Sequence, residues 1–528
     1  MTRTERRWCW AYAGLLTLLT TLPYLLAYAT QGEAWRFTGF VFAVDDGNSY
    51  IAKMLLGSNG AWVFRTPYTT MPQQGALAFL PYLLLGKLAA GEALHEQLVA
   101  LFHLFRIGAI PLLVLASYRL VSLFLEKIRW RRWATILATV GGGLGWLLVA
   151  LGRDTWLGSM PLDLISPESF GFLSILGIPH LILGRALLML GLAAYLEGAN
   201  APTKAWLAGL IFLGLCLVQP LTVITAFAVI AGHQVALLLT SWRSGGWPRW
   251  RPWLLTALRA SLIPLPLVAV LAWQFLRDPY LQAWTLQNRI LSPNPLHYLV
   301  AYGMLLPAAG VGAWQLLKRL GDRGLLPVVY AAIFPLLAYV PHNLQRRLPD
   351  GVWLALAILA AAGLAWLIRR RAALSLLAPL LIVLSLPSSL LLLGGVVQVA
   401  LNPAEPAFRT LEEVQAYQWL ESETKCGEVA LAGFATSNAL PAWAPLRVLV
   451  GHGPESADLE ALLPKVQDYY GGIMDDTESR AFLEVHEVDF VVVGPRERAL
   501  GNWDPFSRPE LILQYREGGY EVYSVGVP

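Results

Sequence analysis

Residues 8–29 read WCWAYAGLLTLLTTLPYLLAYA, an apolar run of 22 residues preceded by Arg3, Arg6 and Arg7. A run of about 20 apolar residues is long enough to cross the ~30 Å hydrocarbon layer of a membrane. The run has no small-residue cleavage site, so we expect an uncleaved signal anchor. The basic residues before it predict a cytoplasmic N-terminus.

The composition extends this prediction to most of the 528 residues. Hydrophobic residues make up 56% and charged residues only 14%, whereas a soluble domain has about 25% charged residues. The net charge of +4 is small, and the basic residues lie in short loops between apolar runs, so we expect no nucleic-acid partner. Three widely spaced cysteines provide neither a disulfide framework nor metal-ligand spacing.

We predict an α-helical polytopic membrane protein with about eleven spanning helices. The predicted spans are 8–29, 97–125, 133–151, 179–197, 203–218, 220–240, 252–276, 296–317, 325–342, 351–368 and 372–399. A shorter run, 76–90, contains Pro81 and Lys87, and we expect it to lie in the outer membrane interface.

The positions of the basic loops predict the orientation. With the N-terminus inside, the basic loops 126–132, 241–251, 318–323 and 369–371 are all cytoplasmic. Segments 30–96, 152–178, 277–295 and 343–350 are then outside, with everything after about residue 400. We therefore predict a multi-pass protein of the cell membrane with a membrane domain over 1–400. Alternating strand and helix patterns predict a soluble extracytoplasmic α/β domain over 401–528.

The first outer loop contains adjacent carboxylates, Asp45 and Asp46, in the stretch FAVDDGNSYIAKM. Adjacent carboxylates near a membrane disfavour each other's ionisation, so such a pair can supply a general base or hold a cation. The alternative is structural, because acidic residues before the apolar run 50–56 favour the start of a helix. The dipeptide alone leaves both interpretations open.

The surrounding pattern resembles the first outer loop of the GT-C glycosyltransferases. These polytopic enzymes take sugars from polyprenyl-phosphate carriers, and include the protein O-mannosyltransferases and the aminoarabinose transferases. The residues that carry the resemblance are Asp45, Asp46, Tyr50, Lys53, Pro67, Tyr68, Gly75 and Arg106. The chain departs from the family where Met71-Pro72-Gln73-Gln74-Gly75 replaces the usual Lys-Pro-Pro.

The resemblance implies a glycosyltransferase that uses a polyprenyl-phosphate sugar and inverts the sugar's configuration. It implies that Asp45 is the general base, and that Asp46 orients the acceptor or holds a divalent metal ion. No cofactor is certain. Tyr50 and Lys53 are expected to bind substrate.

Basic and acidic residues in other segments are further candidates for substrate binding. His103 and Arg106 are three residues apart on one predicted helix, and Arg185 lies inside a span with His180 at its entrance. An arginine at such depth marks a functional site by default, although internal pairing that fixes helix packing is the alternative.

One outer loop is basic. Arg346 and Arg347 lie on the predicted outer side, where they could clamp a phosphate or contact membrane lipid headgroups. Glu168 could be a second acid near the site, or cap a helix with Ser166. Gly451-His452-Gly453-Pro454-Glu455 follows a predicted strand and could touch a ligand, but we interpret it as a plain turn.

We therefore predict a membrane glycosyltransferase that acts on the extracytoplasmic face, with a polyprenyl-phosphate sugar donor and a glycan, lipid or protein acceptor. Two alternatives remain at this point: a transporter or flippase of lipid-linked substrates, or a non-catalytic cell-envelope assembly protein. A transporter would favour paired halves with broken helices, and the sequence shows no such symmetry.

Overall fold

A computed structural model describes residues 1–243, 246–501 and 503–526 of the chain. Two compact units are present. Unit 1 contains 1–22, 105–270 and 289–396, and unit 2 contains 23–104, 271–288 and 397–528. The predicted division at residue 400 remains a proposal, because contact units need not coincide with the domains of a membrane protein.

Helices dominate the chain up to residue 401. The α-helices are α1 Arg3–Thr30, α2 Val44–Ser58, α3 Leu80–Gly86, α4 Leu94–Ser122, α5 Ile128–Val140, α6 Gly145–Ala150, α7 Leu162–Ile165, α8 Gly171–Gly177, α9 Pro179–Gly198, α10 Pro202–Val218, α11 Pro220–Arg243, α12 Gly246–Leu262, α13 Leu265–Arg277, α14 Pro279–Gln287, α15 Pro295–Tyr302, α16 Leu306–Leu320, α17 Asp322–Ala332, α18 Phe334–Tyr339, α19 Val352–Arg370, α20 Leu377–Ser385 and α21 Pro387–Leu401. Short 3₁₀ helices occupy Gln345–Arg347 and Ala372–Leu376.

The predicted membrane character is confirmed. Within the described ranges, seven helical segments are long and apolar enough to cross a membrane, or nine if each of two bent pairs is one span. The bent pairs are α12 with α13 and α15 with α16. The count of eleven is not confirmed. Residues 244–245 of the predicted loop 241–251 lie outside the described residues.

The predicted span 133–151 is interrupted between α5 and α6. The N–H groups of Gly142 and Leu144 donate to the carbonyls of Ser385 (2.7 Å) and Val300 (3.2 Å) instead of continuing the helix. The N–H of Gly145 donates to Asp163 Oδ2 at 3.1 Å. Neighbouring segments therefore satisfy the backbone groups that the break releases, as a non-helical segment at membrane depth requires.

The predicted α/β character of the C-terminal segment is confirmed. After β1 (Trp35–Phe37) and β2 (Phe408–Thr410), the chain forms β3 (Val429–Leu431), β4 (Arg447–Val448), β5 (Phe490–Val493), β6 (Leu511–Glu517) and β7 (Tyr520–Val525). The helices are α22 Leu411–Glu423, α23 Phe434–Ala439, α24 Leu459–Gly471, α25 Asp476–Val485 and α26 Pro495–Arg498, with 3₁₀ helices at Leu440–Ala442 and Pro505–Ser507.

Strands β3–β7 form one mixed sheet in the order β4-β3-β5-β7-β6. β3 runs parallel to β4 and β5, and β7 runs antiparallel to β5 and β6. Leu431 and Val491 of the strands share a hydrophobic core with Tyr469, Tyr470 and Phe482 of α24 and α25. The sheet is therefore covered by helices on the face that its apolar residues define.

The segment that we predict to be the first outer loop packs against this α/β segment within unit 2. β1 pairs antiparallel with β2, with Trp35 opposite Thr410. At the edge strand β4, the N–H of Val448 donates to the carbonyl of Pro67 at 2.8 Å. These backbone contacts bring the loop that contains the acidic pair to the C-terminal segment.

Candidate functional site

The acidic pair lies in the first turn of α2. Ala43 is the N-cap residue and has left-handed backbone angles, φ 49° and ψ 52°. Asp45 and Asp46 are exposed, and neither residue occupies the cap position. The helix-start interpretation is thus correct for the backbone, because carboxylates in a first turn are favoured by the helix dipole. It leaves both carboxylates accessible for chemistry.

An open cleft of about 370 Å³ surrounds the pair within unit 2. It is lined by Ala43, Val44, Asp45, Asp46, Pro406, His452, Gly453 and Pro454. His452 Nε2 lies 3.3 Å from Asp46 Oδ1, and a proton on Nε2 would be donated to this carboxylate. The imidazole side chain is buried, whereas the Asp46 side chain is 51% exposed. The cleft therefore exposes two carboxylates, one of them next to a histidine.

The turn that carries His452 is fixed by its backbone and by polar side chains. The N–H of His452 donates to Ser456 Oγ at 3.1 Å, and the carbonyl of Gly451 accepts from Asn438 Nδ2 at 2.8 Å. Gly451 has φ +152°, and a Cβ there would lie 2.7 Å from the backbone of Ser437. A larger residue would therefore displace the turn. The same Asn438 accepts a hydrogen bond from Asn48 of α2 at 2.8 Å.

A buried ion pair connects α2 to this turn. Lys53 Nζ lies 2.6 Å from Glu455 Oε1, and Lys53 is fully buried. Glu455 also accepts hydrogen bonds from Ser49 Oγ and Thr66 Oγ1, each at 2.7 Å. The Lys53 ammonium lies 4.4 Å from the centre of the Phe79 ring. A contact between Lys53 and a substrate would require this pair to open, so we propose that Lys53 positions α2.

The ionisation of Glu455 follows from these contacts. Burial alone would raise the pKa of Glu455, but the charges of Lys53 and His452 and the hydrogen bonds from Lys53 and Ser49 outweigh it. The pKa of Glu455 is therefore below its ordinary value. The carboxylate is the stable form, and the network holds a charged pair.

Tyr50 and His103 are the two other residues of unit 2 that the sequence predicted to bind substrate, and each lies next to an aromatic ring. Tyr50 is half-buried and stacks on Tyr82, with ring centroids 4.7 Å apart. His103 Nε2 lies 2.9 Å from the carbonyl of Gly39, and its ring lies 4.5 Å from that of Tyr24. Substrate contacts of Tyr50 and His103 remain predictions.

Arg185 and Asp350 form a buried ion pair within unit 1. Arg185 Nε donates to Asp350 Oδ1 at 2.9 Å, and both side chains are at most 5% exposed. Arg185 also donates to the carbonyls of Pro167 (2.6 Å) and Glu168. Thr222 Oγ1 donates to Asp350 Oδ2 at 3.1 Å. This arrangement matches the alternative in which Arg185 fixes helix packing.

The predicted basic pair and Glu168 lie together in unit 1. Glu168 Oε1 is 3.1 Å from Arg347 Nε, and Glu168 is buried. Glu168 therefore serves as the partner of Arg347, and Phe170 is the N-cap residue of α8, which has no side-chain cap. Arg346 is half-buried and, within the described chain, has no ion-pair partner. His180 is buried at the second position of α9.

Arg106 is fully buried in unit 1. It donates to Thr20 Oγ1 at 3.1 Å and Thr21 Oγ1 at 3.0 Å, both on α1. A third contact, 3.4 Å long, reaches the carbonyl of Ile175. These bonds give Arg106 a packing role between α1 and α4, and its predicted phosphate contact remains a prediction.

A metal ion held by Asp46 would need further side-chain donor atoms close to this carboxylate. Over the described ranges, no three His, Cys, Asp or Glu side chains are grouped so as to hold an ion. Asp46 and His452 form only a pair, so we assign no step to a metal.

Sequence reasoning missed Asp350, and it set aside His452 and Glu455 by interpreting residues 451–455 as a plain turn. The turn interpretation of 451–455 was correct for the backbone, since the N–H of Ser456 donates to the carbonyl of His452 at 2.9 Å. His452 and Glu455 could have been recognised from the sequence as a histidine and a glutamate among two glycines and a proline, directly after a predicted strand. Asp350 follows the basic pair by three residues, just before a span.

The exposed acidic pair lies at the start of α2 in a helical membrane protein, and an α/β segment follows the membrane helices. The chain has the fold of the GT-C membrane glycosyltransferases. No protein-family model and no curated protein sequence matches the chain.

Three solved structures illustrate the similarity. The oligosaccharyltransferase of Archaeoglobus fulgidus, tethered to an acceptor peptide with an NVT sequon, has a TM-score of 0.55 and 12% identity, covering 92% of this chain and 69% of that one. The arabinofuranosyltransferase AftD from Mycobacteria has a TM-score of 0.58 and 15% identity, covering 99% of this chain and 40% of AftD. ArnT from Cupriavidus metallidurans, bound to undecaprenyl phosphate, has a TM-score of 0.50 and 12% identity, covering 97% and 98%.

Proposed function

We propose that this protein transfers a sugar from a polyprenyl-phosphate donor to an acceptor hydroxyl, with inversion, on the extracytoplasmic face of the membrane. The observation that carries the proposal is the exposed Asp45–Asp46 pair at the start of α2, in an open cleft with His452, on a GT-C fold. ArnT, which shares the fold, is bound to undecaprenyl phosphate in its structure. The acceptor is a glycan, a lipid or a protein.

Asp45 is the general base in this proposal. Its carboxylate removes the proton of the acceptor hydroxyl, and the acceptor oxygen attacks the anomeric carbon. The bond between that carbon and the phosphate oxygen breaks on the opposite face, and the polyprenyl phosphate leaves with the bonding electron pair. A positioned base contributes about 10²–10⁴-fold to such a step, and holding both substrates in line contributes further.

Asp46 and His452 support Asp45. Two adjacent carboxylates repel each other, and a proton donated by His452 to Asp46 offsets part of the negative charge. Consecutive helical residues point in directions about 100° apart. Asp45 can therefore face the acceptor while Asp46 remains at His452, where it orients the acceptor.

Arg346 is the residue that we propose for binding the donor's phosphate. It is half-buried, and no carboxylate of the described chain pairs with it, whereas Arg347 pairs with Glu168 and Arg185 with Asp350. A guanidinium group suits phosphate because its N–H groups match two phosphate oxygens. Arg347, Arg185, Arg106, His180 and Glu168 are proposed to shape the surroundings of Arg346.

The test is sugar transfer from radiolabelled polyprenyl-phosphate sugars in membranes that contain the wild type or Asp45→Asn at equal abundance. We expect at least about a 100-fold loss in the variant, the lower part of the range for a general base. Normal transfer by Asp45→Asn would remove Asp45 as the base.

Glu460→Gln is the matched control. Glu460 is also an exposed carboxylate in the first turn of a helix of unit 2, α24, but does not line the cleft. We expect normal transfer from this variant. If wild-type membranes transfer no sugar from any donor tested, the enzyme assignment fails, and the movement of lipid-linked substrates across the membrane becomes the next measurement.

A further inference from the structure

A basic pocket lies at the ends of helices in unit 1, in a part of the chain that the proposed reaction does not use. It is open to solvent, and its cavity volume is about 30 Å³. Lys127 and Arg129 line it from the start of α5, Arg319 from the last turn of α16, and Arg369 from the last turn of α19. Glu126 is the carboxylate of the lining. Four cations therefore face one anion.

The single carboxylate satisfies only one of these cations. Arg319 Nη1 lies 3.0 Å from Glu126 Oε1, and Arg319 also donates to the carbonyl of Phe124. Cations in the last turn of a helix are stabilised by the helix dipole, which explains Arg319 and Arg369 separately. The helix dipole does not explain Lys127 and Arg129, because they lie at the N-terminus of α5, where the dipole disfavours cations.

A buried hydrogen-bond donor lines the same pocket. Trp130 is 5% exposed, and its indole Nε1 has no hydrogen-bond partner among the residues that the structure describes. A buried N–H without a hydrogen-bond partner destabilises the folded protein. α5 begins at Lys127 without a side-chain cap, so its first N–H groups are further donors. Both features suit a ligand that accepts hydrogen bonds and carries negative charge.

The neighbouring helix ends have the composition of a membrane interface. Trp314 of α16 packs against Trp366 of α19, with ring centroids 5.3 Å apart. Lys318 Nζ lies 4.2 Å from the Trp314 ring centre, and the Arg370 guanidinium 4.8 Å from that of Trp366. Tryptophans with snorkelling cations mark the level of lipid headgroups, and α19 belongs to a candidate span, Gln345–Arg370.

We propose that this pocket binds the phosphate headgroup of an anionic phospholipid. Arg129 and Arg369 contact the phosphate oxygens, Lys127 supplies further positive charge, and Trp130 donates its indole N–H. Basic pockets between spanning helices on the cytoplasmic side bind such headgroups, and this pocket lies at the helix ends predicted to be cytoplasmic. The chemistry recognised is a phosphate diester in a headgroup of net negative charge, with no ammonium group to oppose the pocket's cations. The lipid is its source because the pocket is at headgroup level.

The experiment is lipid retention by the full-length protein, purified in neutral detergent and measured by native mass spectrometry. The protein is incubated with phosphatidylglycerol, with phosphatidylcholine, or with phosphatidylglycerol plus millimolar inorganic phosphate. The wild type should retain at least about fivefold more phosphatidylglycerol than phosphatidylcholine, the scale of a few charge-assisted hydrogen bonds. Arg129→Gln/Arg369→Gln should lose this preference.

Arg323→Gln/Arg371→Gln is the control, because both arginines are exposed, are predicted to be cytoplasmic, and do not line the pocket. Equal loss in the control would overturn the proposal in favour of general surface charge. Displacement of the lipid by inorganic phosphate, or no preference in the wild type, would also overturn it. If the double variant does not fold, Trp130→Phe keeps the packing and removes the N–H. It should reduce the preference, and an unchanged preference would count against the proposal.

Discussion

The ammonium nitrogen of Lys53 lies 2.6 Å from Glu455 Oε1, and the two side chains are 0% and 7% exposed. Lys53 is on the helix that begins with Asp45 and Asp46, and Glu455 is on the turn that carries His452. A buried pair with three further hydrogen-bonding groups around it holds two distant parts of the chain in one arrangement. We therefore expect the cleft around Asp45 to depend on this contact.

Breaking the Lys53–Glu455 pair should destabilise unit 2. Lys53→Met or Glu455→Gln leaves the partner charge buried without compensation, a change that costs about 3–5 kcal/mol. We expect a lower melting temperature for either variant in detergent, and less loss in Lys53→Met/Glu455→Met than the sum of the two. Lys465→Met, which removes an exposed lysine of the same unit, should change little. Additive losses would show that the two residues do not interact.

Acid should weaken the same contact. The pKa of Glu455 is below its ordinary value of 4.5, because Lys53, His452 and hydrogen bonds outweigh burial. Glu455 thus contributes its full stability above about pH 4.5, and the contribution is lost as the pH falls through the lowered pKa. The melting temperature of the wild type should fall steeply below about pH 4.5. In Glu455→Gln the fall should be shallower, and an unchanged slope would contradict the prediction.

His452 should act on catalysis more than on folding. His452→Ala removes a contact to the charged Asp46, and hydrogen bonds to charged groups contribute about 1.5–3 kcal/mol, so we expect kcat to fall by about 10–100-fold. The KM for the donor should change little, whereas the melting temperature should fall modestly because His452 also stabilises the charged form of the buried Glu455. His486→Ala, on a half-buried histidine outside the cleft, is the control. A loss explained entirely by lower stability would give His452 a structural role only.

Arg346 and Arg347 should respond differently to the same substitution. Arg346→Gln removes a cation that has no ion-pair partner in the described chain, so we expect the KM for the lipid donor to rise about tenfold. Arg347→Gln leaves the buried Glu168 unpaired, so we expect a lower melting temperature. Donor titrations and thermal unfolding separate the two. Equal behaviour of both variants would argue against the separate roles.

The orientation can be tested on a natural thiol. Cys426 is exposed, whereas Cys9 and Cys216 are buried. If residues 401–528 are extracytoplasmic, a membrane-impermeant maleimide should label intact cells that express the wild type, and Cys426→Ser should abolish the label. Labelling that requires permeabilised cells would place this segment in the cytoplasm.

The sequence predicted the elements better than their contacts. The five C-terminal strands and most apolar helices follow from local patterns, because periodicity and composition act within a few residues. The sequence did not predict that the helix is interrupted at residues 141–144. The residues that satisfy the backbone there are Ser385, Val300 and Asp163, which are not local in sequence. The substrate-binding roles of Lys53 and Arg106 stay predictions, and the sequence did not indicate that each side chain is buried with protein partners.

The sequence by itself determined that this chain lies in a membrane, and it identified Asp45 and Asp46, because hydrophobic length and adjacent charges are local properties. Only the tertiary structure decided which groups meet them. His452 meets Asp46, and Glu455 meets Lys53 of the same helix, each across about 400 residues of the chain. A turn of glycine and proline gives no local indication of its partner. Burial and pairing depend on long-range contacts, and these turn two carboxylates in a loop into a site with a supporting histidine and a buried ion pair.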